Sequence, residues 1–105
     1  MKTTVENLIV RQFDYGRLKG CVIGAIIADS FDFCGPDGSE HNIKSVSISK
    51  MVANELSCSI VFVGDNREKD AEKEIIVLRE KLIGAAVEVE NVDPDGYRLQ
   101  IIELL

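Results

Sequence analysis

Leu18-Lys19-Gly20-Cys21-Val22-Ile23-Gly24-Ala25-Ile26-Ile27-Ala28-Asp29 is the stretch on which the fold turns. Read as a strand, it sends Cys21, Ile23, Ala25 and Ile27 to one face and Val22, Gly24, Ile26 and Ala28 to the other. Both faces are apolar, which is the pattern of a strand covered on both sides. Read as a helix, it repeats Gly20, Gly24 and Ala28 every four residues, a close-packing groove. Glycine inside a soluble helix costs about 1 kcal/mol relative to alanine, and this helix would carry two. The strand is the better reading, with Gly24 marking a bulge or a close neighbour.

Upstream, Val5 to Phe13 is a second strand: Leu8, Ile9 and Val10 are apolar and β-prone. Asp14-Tyr15-Gly16 supplies the turn between the two. Downstream, residues 29–41 form the most polar stretch, built around the turn Pro36-Asp37-Gly38. Ile43 to Lys50 returns as a strand, and Lys50 to Leu56 reads as a short helical turn capped by Ser49. Cys58 to Val63 has the unbroken apolar run of a strand buried on both faces.

Arg67 to Ile83 is the main helix. Asp65 and Glu68 make a capping-box-like start; Ala71, Ile75, Leu78 and Leu82 form one apolar stripe, and Gly84 stops it. Ala85 to Val92 and Tyr97 to Leu104 are strands joined by Asp93-Pro94-Asp95-Gly96. With Gly96 left-handed, the turn sets Val89 opposite Ile101 and Glu90 opposite Gln100. Val87, Val89, Leu99 and Ile101 then share one face.

These elements predict one α+β domain over residues 1–105. Its sheet is mixed, mostly antiparallel and about six-stranded, in the order β-β-β-β-α-β-β, with one main helix over 67–83 packed on it. The Cys58 strand, the helix and the Ala85 strand would make a right-handed crossover if both strands run parallel in one sheet. One helix cannot cover both faces of six strands. The uncovered face must be closed by curvature or by a partner, and the expectation is a homodimer.

Composition narrows the partners. With 46% hydrophobic and 29% charged residues, the chain is neither a disordered tail nor a rod. Lys and Arg total 12 against 18 Asp and Glu, a net charge of −6, which disfavours nucleic acid and anionic membranes. Arg11, Arg17 and Lys19 are the only candidates for a local basic patch. Cys21, Cys34 and Cys58 are odd in number and widely spaced, unlike a disulfide framework, and no zinc spacing occurs. Residues 1–20 hold no signal-peptide core and no apolar run spans a bilayer, so a cytoplasmic location is expected.

Four groups are candidates for chemistry. In the polar stretch, Asp29, Asp32, Asp37 and Glu40 offer hard oxygen ligands for a divalent metal, and Cys34 with His41, the sole histidine, offers a nucleophile and its base. The plain alternative is a solvated hairpin loop. The second group is Gly64-Asp65 before the helix, which with Asp70 resembles the metal-binding motif of haloacid-dehalogenase-like phosphatases over about eight residues. That family also carries an Asp-x-Asp nucleophile, whereas Asp29-Ser30-Phe31-Asp32 is spaced differently. A helix-capping role explains Asp65 without chemistry. The third, Lys19 to Phe31, looks like the opening helix of ADP-ribosylglycohydrolases, an all-helical family that the strand-rich second half does not match. The fourth is an interaction surface at a sheet edge, Val5–Phe13 or Tyr97–Leu104.

The function expected from this reading is a non-catalytic module acting by self-association or by binding a protein partner, with no cofactor. The alternative is a small metal-dependent or acid-base enzyme for a phosphoryl or acyl substrate, using the Asp29–His41 loop with Asp65.

Overall fold

The computed structural model describes residues 1–35, 37–49, 52, 59–62, 67–96 and 98–105. The elements are β1 (Lys2–Tyr15), β2 (Leu18–Cys34), β3 (Glu40–Ile48), β4 (Ser59–Phe62), α1 (Glu68–Leu82), β5 (Ala86–Asn91) and β6 (Leu99–Leu104). The class is α+β, and residues 18–29 are strand. The sheet, however, is not open. Its order is β1-β5-β6-β3-β2-β4, and β1 also pairs with β2, so β1, β2, β3, β6 and β5 close into a five-stranded barrel.

Closure depends on how β1 bends. Its C-terminal part runs antiparallel to β2, from Asn7 opposite Ile26 to Tyr15 opposite Leu18. A register shift between Val5 and Asn7 breaks that ladder. There Val5 turns its backbone to the segment after the helix: its N–H donates to the Ala85 carbonyl at 3.0 Å, and its carbonyl accepts from the Gly84 N–H at 2.8 Å. Gly84 sits at φ 83°, a left-handed conformation open to glycine without strain. Beyond the bulge, Lys2 to Thr4 pair with β5 instead. One strand thereby joins two sides of the barrel, a corner of the kind bulges make.

The other joint is parallel. Ser47 and Ile48 of β3 lie opposite Gln100 and Ile101 of β6. The Ser49 N–H extends the joint to the Ile101 carbonyl at 2.9 Å. Three meandering strands, the short β4, a helix and a final hairpin, whose first strand lies beside β1 and whose last runs parallel to β3, give the barrel a Greek-key connectivity.

The barrel interior absorbs the apolar faces that the sequence left uncovered. Ala25, Ile27, Val87 and Ile101 are fully buried. Helix α1 lays Ala71, Leu78 and Leu82 on the same core. Of the two ways of closing the uncovered face, curvature is the one the barrel displays. The crossover unit does not form either: β4 pairs antiparallel with β2 and is not a neighbour of β5. Nor is β4 covered on both sides, because Ile60 and Phe62 are buried while Val61 is about half exposed. The terminal strand is no edge; β6 is held between β5 and β3.

The polar stretch 29–41 is mostly strand. β2 continues to Cys34 and β3 starts at Glu40, so only the tip at 35–39 turns, with Gly38 at φ 82°. The final hairpin keeps the expected register from Asn91–Leu99 to Val89–Ile101. It then shifts by one residue, placing Val87 opposite Leu104. Among the described residues Arg67 is the N-cap of α1, with no side-chain cap bond, and Asp65 lies outside them. Ser49 Oγ accepts the Val52 N–H at 3.3 Å; the rest of the helical turn expected over 50–56, and Cys58, lie outside the described residues. No helix among the described residues is long and apolar enough to cross a membrane.

Candidate functional site

The polar hairpin arm separates the residues grouped there by sequence. Antiparallel register places Cys34 opposite Glu40 and Phe33 opposite His41. Directly paired residues share a face and neighbours alternate, so Cys34 and His41 lie on opposite faces of the ribbon. A nucleophile and its base need hydrogen-bond reach, which this register denies them. Cys34 is exposed and free.

Three of the carboxylates, Asp29, Asp32 and Asp37, have a local occupation. Asp29 braces β2 against β1: its N–H donates to Thr3 Oγ1 at 3.2 Å, and that hydroxyl lies 3.4 Å from Asp29 Oδ2. Asp32 accepts from Asn42 Nδ2 at 2.8 Å, across the ladder. Asp37 Oδ1 accepts from the Ser39 N–H at 3.1 Å and from Ser39 Oγ at 2.5 Å. The Ser39 hydroxyl bond, and then its amide, hold the Asp37 carboxyl below the usual range. No group of three or more His, Cys, Asp or Glu among the described residues is arranged to hold a metal.

Asp37, Ser39 and His41 do form a chain, since Ser39 Oγ lies 2.7 Å from His41 Nε2. Its direction follows from counting protons. A hydroxyl has one, and the contact with Asp37 takes it. The imidazole nitrogen must then donate to Ser39 Oγ. In nucleophile activation the imidazole instead accepts the hydroxyl proton. The geometry serves to lock the tip of the arm. Cys21 is buried in the barrel, where loss of hydration, with a smaller push from Glu68, raises its thiol pKa and keeps it unreactive.

The structure assembles a different surface, on the outside of β1, β2 and β4. Register aligns its rows: Tyr15 with Leu18; Phe13, Gly20 and Val61; Arg11 with Val22; Ile9 with Gly24 and Ser47. Tyr15 is 77% exposed, Val22 53%, Leu18 52% and Val61 49%, and together they form an apolar sheet face open to water. Phe13 covers Gly20: a Cβ there would meet the Phe13 ring at 2.6 Å and also the Ile60 carbonyl. Tyr15 extends the aromatic strip, its ring centroid 5.8 Å from that of Phe13. At Gly24 the missing side chain leaves a shallow depression of about 210 Å³ between Arg11, Val22 and Ser45. That is below the roughly 300–1,000 Å³ of enclosed small-molecule sites, so it suits a single side chain of a larger ligand.

The charge of this face is unlike that of the molecule. None of the outward positions in these rows carries a carboxylate, in a chain with 18 of them. Arg11 lies within the face and Arg17 in the turn at its end, while Asp14 points away and pairs with Lys19 at 3.9 Å. Sequence reasoning singled out Arg11 and Arg17 but not the face. The signal was there in Val22 and Ile26, apolar on the side of β2 opposite its core residues. Reading β2 as covered on both sides concealed it. The molecule is thus defined as a Greek-key barrel with one open apolar face. No family model, no curated protein and no solved structure matches the chain.

Proposed function

We propose that this protein is a non-catalytic binding module and that its working surface is the outer face of β1, β2 and β4. The observation that carries the reading is the alignment of Tyr15, Leu18, Val22 and Val61, each about half exposed or more, on one sheet face. Apolar side chains left open to water on the outside of the barrel gain little in folding compared with those buried inside it. Contiguous exposed apolar surface is characteristic of protein contact sites. The reading rests on these residues and not on strand order, because a fold hosts many functions.

Self-association through the same surface is the second form of this reading, favoured by the side of β4 that has no strand neighbour among the described residues. A photo-crosslinking amino acid at position 22, incorporated in the cells of origin, tests both forms. Crosslinks to another polypeptide, or to a second copy, are expected from position 22 and not from position 73 on the exposed side of α1. Equal yields from the two positions would refute the proposal.

A further inference from the structure

Resting on that reading, we infer that the occupant of this face is an acidic, extended peptide segment of another protein, with carboxylates spaced to meet Arg11 and Arg17 and apolar side chains between them. The argument is charge complementarity. Among the described residues the rows of this face offer the Arg11 guanidinium, with Arg17 in the turn at their end, and no carboxylate, so the counter-charge is left for a bound partner to supply. A second copy seated face to face about a two-fold axis would present the same rows, which among the described residues hold no acid to meet Arg11 or Arg17. Guanidinium and carboxylate meet as a bidentate pair, which adds direction to the contact.

Spacing follows from strand geometry. Arg11 and Tyr15, the last strand residue before the Arg17 turn, are separated by about 13 Å, at roughly 3.3 Å per strand residue. An extended peptide covers that distance in four residues. Its carboxylates at positions i and i+4, and an apolar residue at i+2, then share one side of the peptide. The apolar residue falls over Tyr15, Leu18 and Val22, and the next one along enters the depression at Gly24.

A single-stranded nucleic acid is the competing class, since aromatic rings and arginine also receive bases and phosphates. The face argues against it. Its exposed area is chiefly aliphatic, and two cations on a chain of net charge −6 release few counterions. The overall negative charge also repels an acidic peptide, but only at long range: beyond about 8 Å physiological salt screens it. The local pairs decide the bound state.

Fluorescence anisotropy at physiological ionic strength tests the inference. The probes are a labelled peptide of three Glu-Thr-Val-Thr repeats, its Gln-Thr-Val-Thr and Lys-Thr-Val-Thr counterparts, and oligothymidylate. The glutamate peptide is expected to bind at least tenfold more tightly than the other three. The double variant Arg11→Gln, Arg17→Gln, both exposed and far from the core, is expected to remove that preference while far-UV circular dichroism stays unchanged. Equal binding of the glutamate and glutamine peptides would overturn the acidic assignment and leave the apolar face as a binding surface. Preferred binding of oligothymidylate would overturn it in favour of nucleic acid. If no probe binds and position 22 gives no crosslink, this inference and the proposed function fail together.

Discussion

Two glycines four residues apart do different work, and substitution separates them. A Cβ on Gly20 would run into the Phe13 ring and the Ile60 carbonyl; the ring is able to swing aside, the backbone is not. A Cβ on Gly24 would meet only the Val46 carbonyl at 3.3 Å. Gly20→Ala is therefore expected to cost about 1–3 kcal/mol, as overpacking does. Gly24→Ala should be near neutral, because alanine restricts the unfolded chain and offsets the tight contact. Urea unfolding of the two variants checks this, and equal losses would contradict it. From sequence alone both glycines read as interruptions. Which of them bears the close approach depends on Phe13 and Ile60, residues brought together only by pairing. Asp37 gives a second test at this scale. Its carboxyl is held below the ordinary aspartate range, chiefly by the Ser39 hydroxyl. A carboxylate with a depressed pKa adds stability above its unfolded pKa and loses it as pH falls through the folded one. The Ser39 amide resonance should thus titrate with a midpoint below 3.8, with the locked tip released on the acid side. Asp37→Asn should abolish that titration.

Among the elements, what was legible follows from how local the interactions are. The final hairpin was readable from its turn as far as Val89 opposite Ile101, because Asp93, Gly96 and the alternation of Val89, Leu99 and Ile101 are close together in the chain. Its Gly96 N–H does return to the Asp93 carbonyl at 3.0 Å. The shift beyond Val89 was not readable, since it aligns Leu104 with a core assembled from distant strands. The arm at 29–41 read as loop because a ribbon projecting from the barrel needs no apolar alternation; Asp32 and Asn42 satisfy each other across it. Helix α1 was legible from its stripe, and its two sides respond differently to truncation. Leu78 is 1% exposed and touches the barrel core, whereas Ile76 is 56% exposed. Leu78→Ala is expected to cost about 2–5 kcal/mol, the lost burial plus a cavity. Ile76→Ala should stay within about 0.5 kcal/mol, as at other exposed helix positions. Thermal unfolding of both variants decides it, and comparable losses would mean that α1 is seated on its other face.

Across the whole molecule, stability is unevenly distributed around the barrel, and the weak place is the joint that the sequence did not announce. β1 and β2 share ten paired positions joined by a two-residue turn at Gly16. β3 and β6 share two, and some fifty residues of chain lie between them. Nothing in Ser47 or Gln100 advertises a partner so far away, which is why an open sheet was the natural expectation. Parallel closure of this kind has no turn to hold it; it is held by the burial of Ile48 and Ile101 behind two rungs, with Ser47 Oγ reaching the Leu99 carbonyl at 3.2 Å and the Ser49 N–H reaching Ile101. Parting the joint breaks few hydrogen bonds but exposes those two side chains, at about 1.5–3 kcal/mol each. Opening there should cost more than fraying at a chain end and less than global unfolding. Native-state hydrogen exchange measures it directly. The Ser49 amide is expected to exchange by a sub-global opening, at a lower free energy than the β2 amides of Cys21, Val22 and Gly24 to Ile26, which have paired strands on both sides. If Ser49 is instead protected to the level of those β2 amides, β3 and β6 part only when the whole barrel unfolds, and closure belongs to the most stable unit of the fold.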